Sequence, residues 1–331
     1  MGDHVGRARG GTSGLLTVAL AGVLAVTLVA CVVATLTAQA PAARGPRPKW
    51  QIDAGSKMAF DVASVKASKP GDLGYRMNFP LTLGADFGSV GNRMSVNIPL
   101  RVLIGFAYKI TPGQTRVLMP GLPDWVDSKW FEVEARAAAD NPTKDQFRLM
   151  VQSLLAERFA LRMHYEIRQL PIFALVLSKS GKTGPQLTRH IDDSMCVADE
   201  RQDILHVSQV GLPPFPCGSI LFPGLAPSVP GRIKGGGRNV DMDYIAAFLT
   251  GFQGLGLDRP VVNRTGLSGS FDFWMELVRQ SGASLPNGAE PDPTGPTLLE
   301  ALRDQLGLKV ESTTSPVDVM VIDHIEEPSP N

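Results

Sequence analysis

The stretch Leu154-Leu155-Ala156-Glu157-Arg158-Phe159-Ala160-Leu161-Arg162-Met163-His164-Tyr165-Glu166 passes from the apolar stripe of a helix directly into an alternating strand. Phe147, Met150, Val151, Leu154 and Leu155 recur at helical spacing behind Asn141-Pro142, which offers a cap and a first-turn proline. Leu161, Met163, Tyr165 and Ile167 then alternate with Arg162, His164, Glu166 and Arg168. The apolar positions return at a constant offset of 147 residues: Leu155, Phe159, Leu161 and Met163 match Leu302, Leu306, Leu308 and Val310. Self-similarity of this kind marks two copies of one supersecondary unit.

Outward from that stretch, strands are expected at Phe60 to Lys66, at Met94, Val96 and Ile98, and at Phe131 to Arg136, with a helix over Leu100 to Tyr108. Ile172 to Leu177 is apolar on both faces, as a central strand is. The later half repeats this order: a strand at Val240 and Met242, a helix from Tyr244 to Phe252, and strands at Pro260 to Asn263 and Phe271 to Leu277. Thr297 and Glu300 then form a capping box before Leu298, Leu299, Leu302 and Leu306, Gly307 ends the helix, and Val310 and Val317 to Ile322 close the set. The reading is an α+β fold of two tandem ferredoxin-like lobes (β-α-β-β-α-β-β) from an internal duplication, at residues 58–180 and 236–327, joined by a loop over 181–235.

The N-terminus reads as an export segment. From Leu15 to Thr37 the chain runs 23 residues without a charge, preceded by Arg7 and Arg9. Ala38-Gln39-Ala40 has the small-x-small pattern of a signal-peptidase site, so cleavage after Ala40 is expected, with a Pro-rich spacer over 41–57. Two alternatives stand beside it: residues 1–40 retained as a membrane anchor, since the run can cross about 30 Å of hydrocarbon, and lipidation at Cys31 within Leu28-Val29-Ala30-Cys31. Each places the protein outside the cytosol, touching a membrane only through this segment.

Beyond Cys31 only Cys196 and Cys217 remain, an even pair in loop-like sequence that an oxidising compartment would join as a disulfide. Neither CxxC nor HExxH occurs, so no metal site and no cofactor are expected. Lys+Arg and Asp+Glu are equal at 32 each, which leaves no net field to hold nucleic acid.

Several motifs invite chemistry and are weighed against plainer readings. Ser178-Lys179-Ser180-Gly181-Lys182-Thr183 ends like a phosphate loop, but Val176 stands where its first glycine belongs, so a surface turn is expected. Gly266-Leu267-Ser268-Gly269-Ser270 lacks the last glycine of a nucleophile elbow and suits a strand-to-strand turn. His164 and Glu166 share a strand face with Arg162 and Arg168, either as base and orienter or as a balanced solvated face. Asp323 and His324 are adjacent and point to opposite faces of a strand, against a dyad. His190 and His206 flank Cys196 without identifiable partners. Asn263-Arg264-Thr265 is formally a glycosylation sequon but also reads as a strand end. Trp125 and Trp130 flank a loop of the first lobe, and Trp274 lies on the polar side of its strand.

Phe60-Asp61-Val62-Ala63-Ser64-Val65-Lys66, Leu154 to Phe159, His164-Tyr165-Glu166, Arg259 to Leu267, Gln305-Leu306-Gly307-Leu308 and Val321-Ile322-Asp323-His324 together resemble a family of uncharacterised, mostly soil-bacterial exported proteins. Related domains of that family look like those fused C-terminally to sensor-type membrane metallopeptidases of the β-lactam-sensing class. The resemblance covers about Phe60 to Glu327 and departs at Asn263, where the family usually carries Asp. It implies no activity, and without HExxH no protease chemistry is inherited.

No acid, base or nucleophile constellation stands out, so no catalytic residue is assigned. The expected function is a non-catalytic extracytoplasmic binding or sensory module for an unknown envelope ligand or protein. Trp125, Trp130, Arg264 and Ser268 are expected to line a cleft between the lobes. The alternative is an exported hydrolase whose site is assembled from both lobes.

Overall fold

The computed structural model describes residues 45–69, 74, 76–78, 91–191, 217–250, 257–278 and 294–328. Ala40, Cys31, Cys196 and His206 lie outside them. The described residues fall within one unit, Ala43–Asn331, of mixed α/β structure. A short helix α1 (Lys49–Asp53) leads into β1 (Val62–Ala67), β2 (Arg76–Met77), β3 (Arg93–Pro99), α2 (Leu100–Tyr108), α3 (Pro112–Leu118), α4 (Trp125–Ser128), β4 (Trp130–Arg136), α5 (Lys144–Arg158) and β5 (Arg162–Leu177). The later part comprises β6 (Leu187–Arg189), β7 (Ser219–Leu225), β8 (Ile233–Asp241), α6 (Met242–Leu249), β9 (Val261–Asn263), β10 (Ser270–Leu277), α7 (Leu298–Ala301) and β11 (Leu308–His324).

Two four-stranded antiparallel sheets follow one plan: the orders are β1-β4-β3-β2 and β6-β10-β8-β7. The ferredoxin-like order expected from the sequence requires parallel strands joined through crossover helices. Among the described residues neither sheet contains a parallel strand pair; the parallel bridge of Cys217 to Arg238 is isolated, outside the strand pairings. β3 and β4, although separated by three helices, run antiparallel.

Each sheet has its own core. Phe131, Val133 and Ala135 of β4 face inward onto Phe147, Val151 and Leu155 of α5, and Phe131 meets Phe159 edge-on at 5.0 Å. α5 begins where the sequence supplies a cap: Thr143 accepts from the Gln146 amide while Gln146 Oε1 accepts from the Thr143 amide at 2.8 Å. In the second core Phe271, Phe273 and Met275 of β10 pack on Ile245 of α6 and on Leu302 and Leu306. There the helix expected over 298–306 becomes a π-helical turn at Leu302–Leu306, closed by Gly307 at φ +69°.

The third sheet, β11-β5-β9, links the cores. β5 and β11 pair antiparallel along nearly their whole lengths, from Leu308 opposite Leu177 to His324 opposite Arg162. Leu161 and Tyr165 belong to the first core and Leu175 to the second; along β11, Leu308 belongs to the second and Met320 to the first. Each long strand therefore starts in the core of its own helix and ends in the other.

The sequence suggested two short strands in each of these places because prolines interrupt the patterns. Pro171 pairs with Thr314 and Pro316 with Gln169 inside the ladder. The edge of β5 away from β11 is open at Pro171, since β9 joins only at Phe173, and an open edge tolerates a residue without an N–H. The stretch 181–235, expected as a loop, instead supplies β6, β7 and the start of β8, with Leu187, Ile220 and Ile233 buried in the second core.

Candidate functional site

Among the described residues, no second strand pairs with the N-terminal end of β5 on its edge away from β11. The Tyr165 carbonyl on that edge accepts from the Gly45 amide at 2.8 Å, and α1 lies nearby. Between them is a cavity of about 430 Å³ whose walls include Arg47, Gln51, Tyr108, Gln152, Arg162 and Tyr165, with His164 beside them. Gln51 Nε2 donates to the Tyr165 hydroxyl at 2.9 Å, and Gln152 Nε2 donates to the Ala107 carbonyl at 2.7 Å. Burial raises the Tyr165 pKa to about 12, against the smaller opposing effect of the Gln51 hydrogen bond. Burial, with the neighbouring Tyr165, drives Tyr108 in the same direction. Both phenols stay neutral, so the walls combine uncharged donors and acceptors with two arginines.

On the outer face of the long strand pair, His164 sits between two carboxylates. Its Nδ1 is 2.9 Å from Asp323 Oδ1 and its Nε2 is 3.0 Å from Glu166 Oε1, while Arg168 Nε donates to Glu166 Oε2 at 2.8 Å. The Asp323 hydrogen bond, then that of Glu166, raises the His164 pKa; the His164 bond, then Arg168, lowers that of Glu166. An imidazolium donates from both nitrogens, so this arrangement suits the charged ring. A general base needs a free nitrogen lone pair, which this ring lacks unless a carboxylate leaves.

A second histidine–carboxylate pair is deeply buried. His190 Nδ1 lies 2.8 Å from Asp272 Oδ1, and both side chains are 6% exposed. Asp272 sits at an irregularity in the β10–β8 ladder between Phe271 and Phe273, and its Oδ1 also accepts from the Asn239 amide at 2.9 Å. Among the described residues no group of three His, Cys, Asp or Glu side chains could hold a metal.

The residues expected to form a cleft divide between the cores. Trp125 is half-buried against the first core, and Trp130 opens β4 opposite Pro99. Arg264 and Ser268 are exposed beside the second: the Arg264 amide donates to the Leu175 carbonyl at 2.8 Å, and the Ser268 carbonyl accepts from Arg189 Nη1 at 2.9 Å. Arg264 Nη2 also donates to Ser315 at the middle of β11, whereas α4 is followed by Lys129, which pairs with Glu327 past the end of that strand. Nine residues of strand separate Ser315 from the end of β11 at His324, about 30 Å at the usual rise. Trp274 stands apart from both groups, with the Lys234 ammonium 4.3 Å from its ring centre.

Turn readings hold at two of the motifs. Asn263 Oδ1 accepts from the Thr265 amide and hydroxyl, and Gly269 turns between β9 and β10 at φ +86°. Sequence reasoning missed the His164–Asp323 and His190–Asp272 pairs and the Tyr108, Gln51 and Tyr165 wall. The alternation did place His164 and Glu166 on one face; only the β5–β11 register brings Asp323 to them. Cys217 is wholly buried.

Mixed α/β architecture with a small polar cavity and paired histidine–carboxylate groups is the class these features define. Residues 101–325 match the model of a family described as a protein of unknown function (DUF3738), and the chain belongs to that family. No curated protein and no solved structure matches it.

Proposed function

We propose that the chain is an extracytoplasmic binding or sensory module and that its ligand, an envelope fragment or protein, enters the cavity at the open edge of β5. The observation that carries this reading is the wall itself: neutral Tyr108, Tyr165 and Gln51 beside Arg47 and Arg162, around about 430 Å³. Neutral hydrogen-bonding groups with a few charges are what hold and orient a small polar ligand. Both nitrogens of His164 are engaged by carboxylates, which favours binding over turnover at this edge. Arg264 and Ser268 are exposed and available to a larger ligand on the other core, with Trp125 packed against the first core and Trp130 at the start of β4. The test titrates the purified full chain with envelope fragments, peptides and glycans, following tryptophan emission for binding and product analysis for turnover. Saturable quenching without product, weakened in Tyr165→Phe and Gln51→Ala, supports the module. Quenching unchanged in both variants removes the ligand from this cavity.

The hydrolase reading rests on His190 and Asp272, a histidine oriented by a buried carboxylate. Reproducible turnover abolished by His190→Ala would transfer the function to that pair.

Export underlies the word extracytoplasmic. It rests on the apolar run from Leu15 to Thr37 and on Ala38-Gln39-Ala40, with cleavage, a retained anchor and lipidation at Cys31 as its three forms. Among the described residues no helix is long and apolar enough to cross a membrane. Mass spectrometry of native protein beginning at Pro41 supports cleavage; an intact Met1 or a lipid-bearing Cys31 overturns it. In an oxidising compartment Cys196 and Cys217 form a bridge closing about 20 residues, worth ~3 kcal/mol on chain entropy. Thiol labelling of unfolded, unreduced protein then finds neither residue reactive, and labelling of both would sink the bridge. Kinship with the C-terminal domains of sensor-type membrane metallopeptidases, and an origin in soil bacteria, belong to the same proposal. So does an internal duplication, which the shared strand order of the two sheets supports. The matched motif supports it too: Leu155, Phe159 and Leu161 sit in one core as Leu302, Leu306 and Leu308 do in the other.

A further inference from the structure

The turn after β5 carries two lysines held close together. The Lys182 amide donates to the Lys179 carbonyl at 3.2 Å, the two residues form a bridge, and Gly181 takes φ +69° between them. Among the described residues neither lysine has a carboxylate in ion-pair range, and like charges facing each other across a turn repel.

The turn is also fixed in place. The amides of Ser178, Gly184 and Gln186 donate to the carbonyls of Gly307, Leu306 and Gln305 at 2.8, 2.8 and 2.9 Å, which caps the end of the π-helical turn. A Cβ on Gly184 would stand 2.3 Å from the Gln305 carbonyl oxygen, so the backbones meet at the closest approach the chain allows. A helix end presents about half a unit of negative charge, which one lysine already exceeds.

Between the turn and the helix end is a cavity of about 570 Å³, lined by Ser178, Lys179, Lys182, Thr183, Arg303 and Asp304 among others. Asp304 is held by Arg303 through two hydrogen bonds, at 2.7 and 2.9 Å, so the pair is close to neutral and the lysines set the sign. The Ser178 hydroxyl oxygen is buried without a hydrogen-bond partner, an uncommon state for a hydroxyl in a folded protein.

We propose that this cavity binds a phosphomonoester, with the phosphoryl group between Lys179 and Lys182 and an uncharged body of sugar size in the remaining space. The site is not a nucleotide-type phosphate loop, since the residues after Thr183 lead into β6 rather than a helix. Its ligand, residues and location are independent of the β5-edge cavity.

The test is calorimetry on the purified full chain with glucose 6-phosphate, at constant ionic strength, against glucose as the uncharged control. Saturable binding of the phosphate ester alone is expected, weakened about tenfold by Lys179→Ala or Lys182→Ala and removed by the double variant. Lys66→Ala, an exposed lysine on β1, should leave it unchanged. Tyr165→Phe should also leave it unchanged, which separates this site from the other cavity. Absence of saturable binding overturns the proposal, as does equal binding by glucose. Equal weakening in Lys66→Ala also overturns it, because attraction would then be general.

Discussion

His164 is held by two carboxylates from two strands, and its protonation is tied to theirs. A histidine whose pKa is raised on folding stabilises the fold fully below its ordinary value of 6.5, and the contribution fades as pH climbs through the raised value. Glu166, lowered from 4.5, acts in the opposite sense: its contribution is complete above that value and fades as pH falls through the lowered one. Both are complete together between 4.5 and 6.5. Ring-carbon NMR of His164 should therefore titrate above 6.5 in the native protein and lower in Asp323→Asn. A midpoint indifferent to that substitution would remove Asp323 as the main cause. Three of the four members of this cluster were legible in the sequence, because strand alternation alone puts His164, Glu166 and Arg168 on one face. Asp323 was not, since Val321 is the residue opposite His164 and Asp323 reaches the ring from the irregularity between Ile322 and His324, which no local pattern specifies.

Helices were the most legible elements, because caps and apolar stripes are local. Asn141-Pro142 suggested the start of α5, and the cap is Thr143, two residues later, in a box with Gln146. Thr143→Ala should cost about 1 kcal/mol, read as a lower urea midpoint at unchanged slope, whereas Thr143→Ser should keep most of the stability. No change in Thr143→Ala would mean that the cap forms without consequence. Strands were less legible wherever proline or glycine broke the pattern. β8 carries Gly235, Gly236 and Gly237, which hid it in the sequence, yet the ladder needs two of them: a Cβ on Gly235 would stand 2.4 Å from the Leu221 carbonyl oxygen and one on Gly237 2.9 Å from that of Ser219.

At the scale of the molecule, two apolar cores are joined through β5 and β11, and no local pattern in the sequence signalled that joining. Damage in one core should reach the other through these strands. Trp50, Trp125 and Trp130 sit with the first core, so a Trp274→Phe background gives emission from that side alone. Leu306→Ala empties a fully buried site in the second core and should cost about 2–5 kcal/mol. In the Trp274→Phe background it should still lower the urea midpoint reported by the first core's tryptophans. An unmoved midpoint would mean that the two halves unfold separately.

The exchange of long strands also sets an order of events during synthesis. Met320 completes a core that begins at Val65, so the first half of the nascent chain leaves the ribosome with the seat of its last strand empty. Contacts this distant in sequence form late and slowly, and until then an apolar groove bordered by an open strand edge stays exposed. A chain with this topology stays unfinished, and therefore pliable, until β11 has been made.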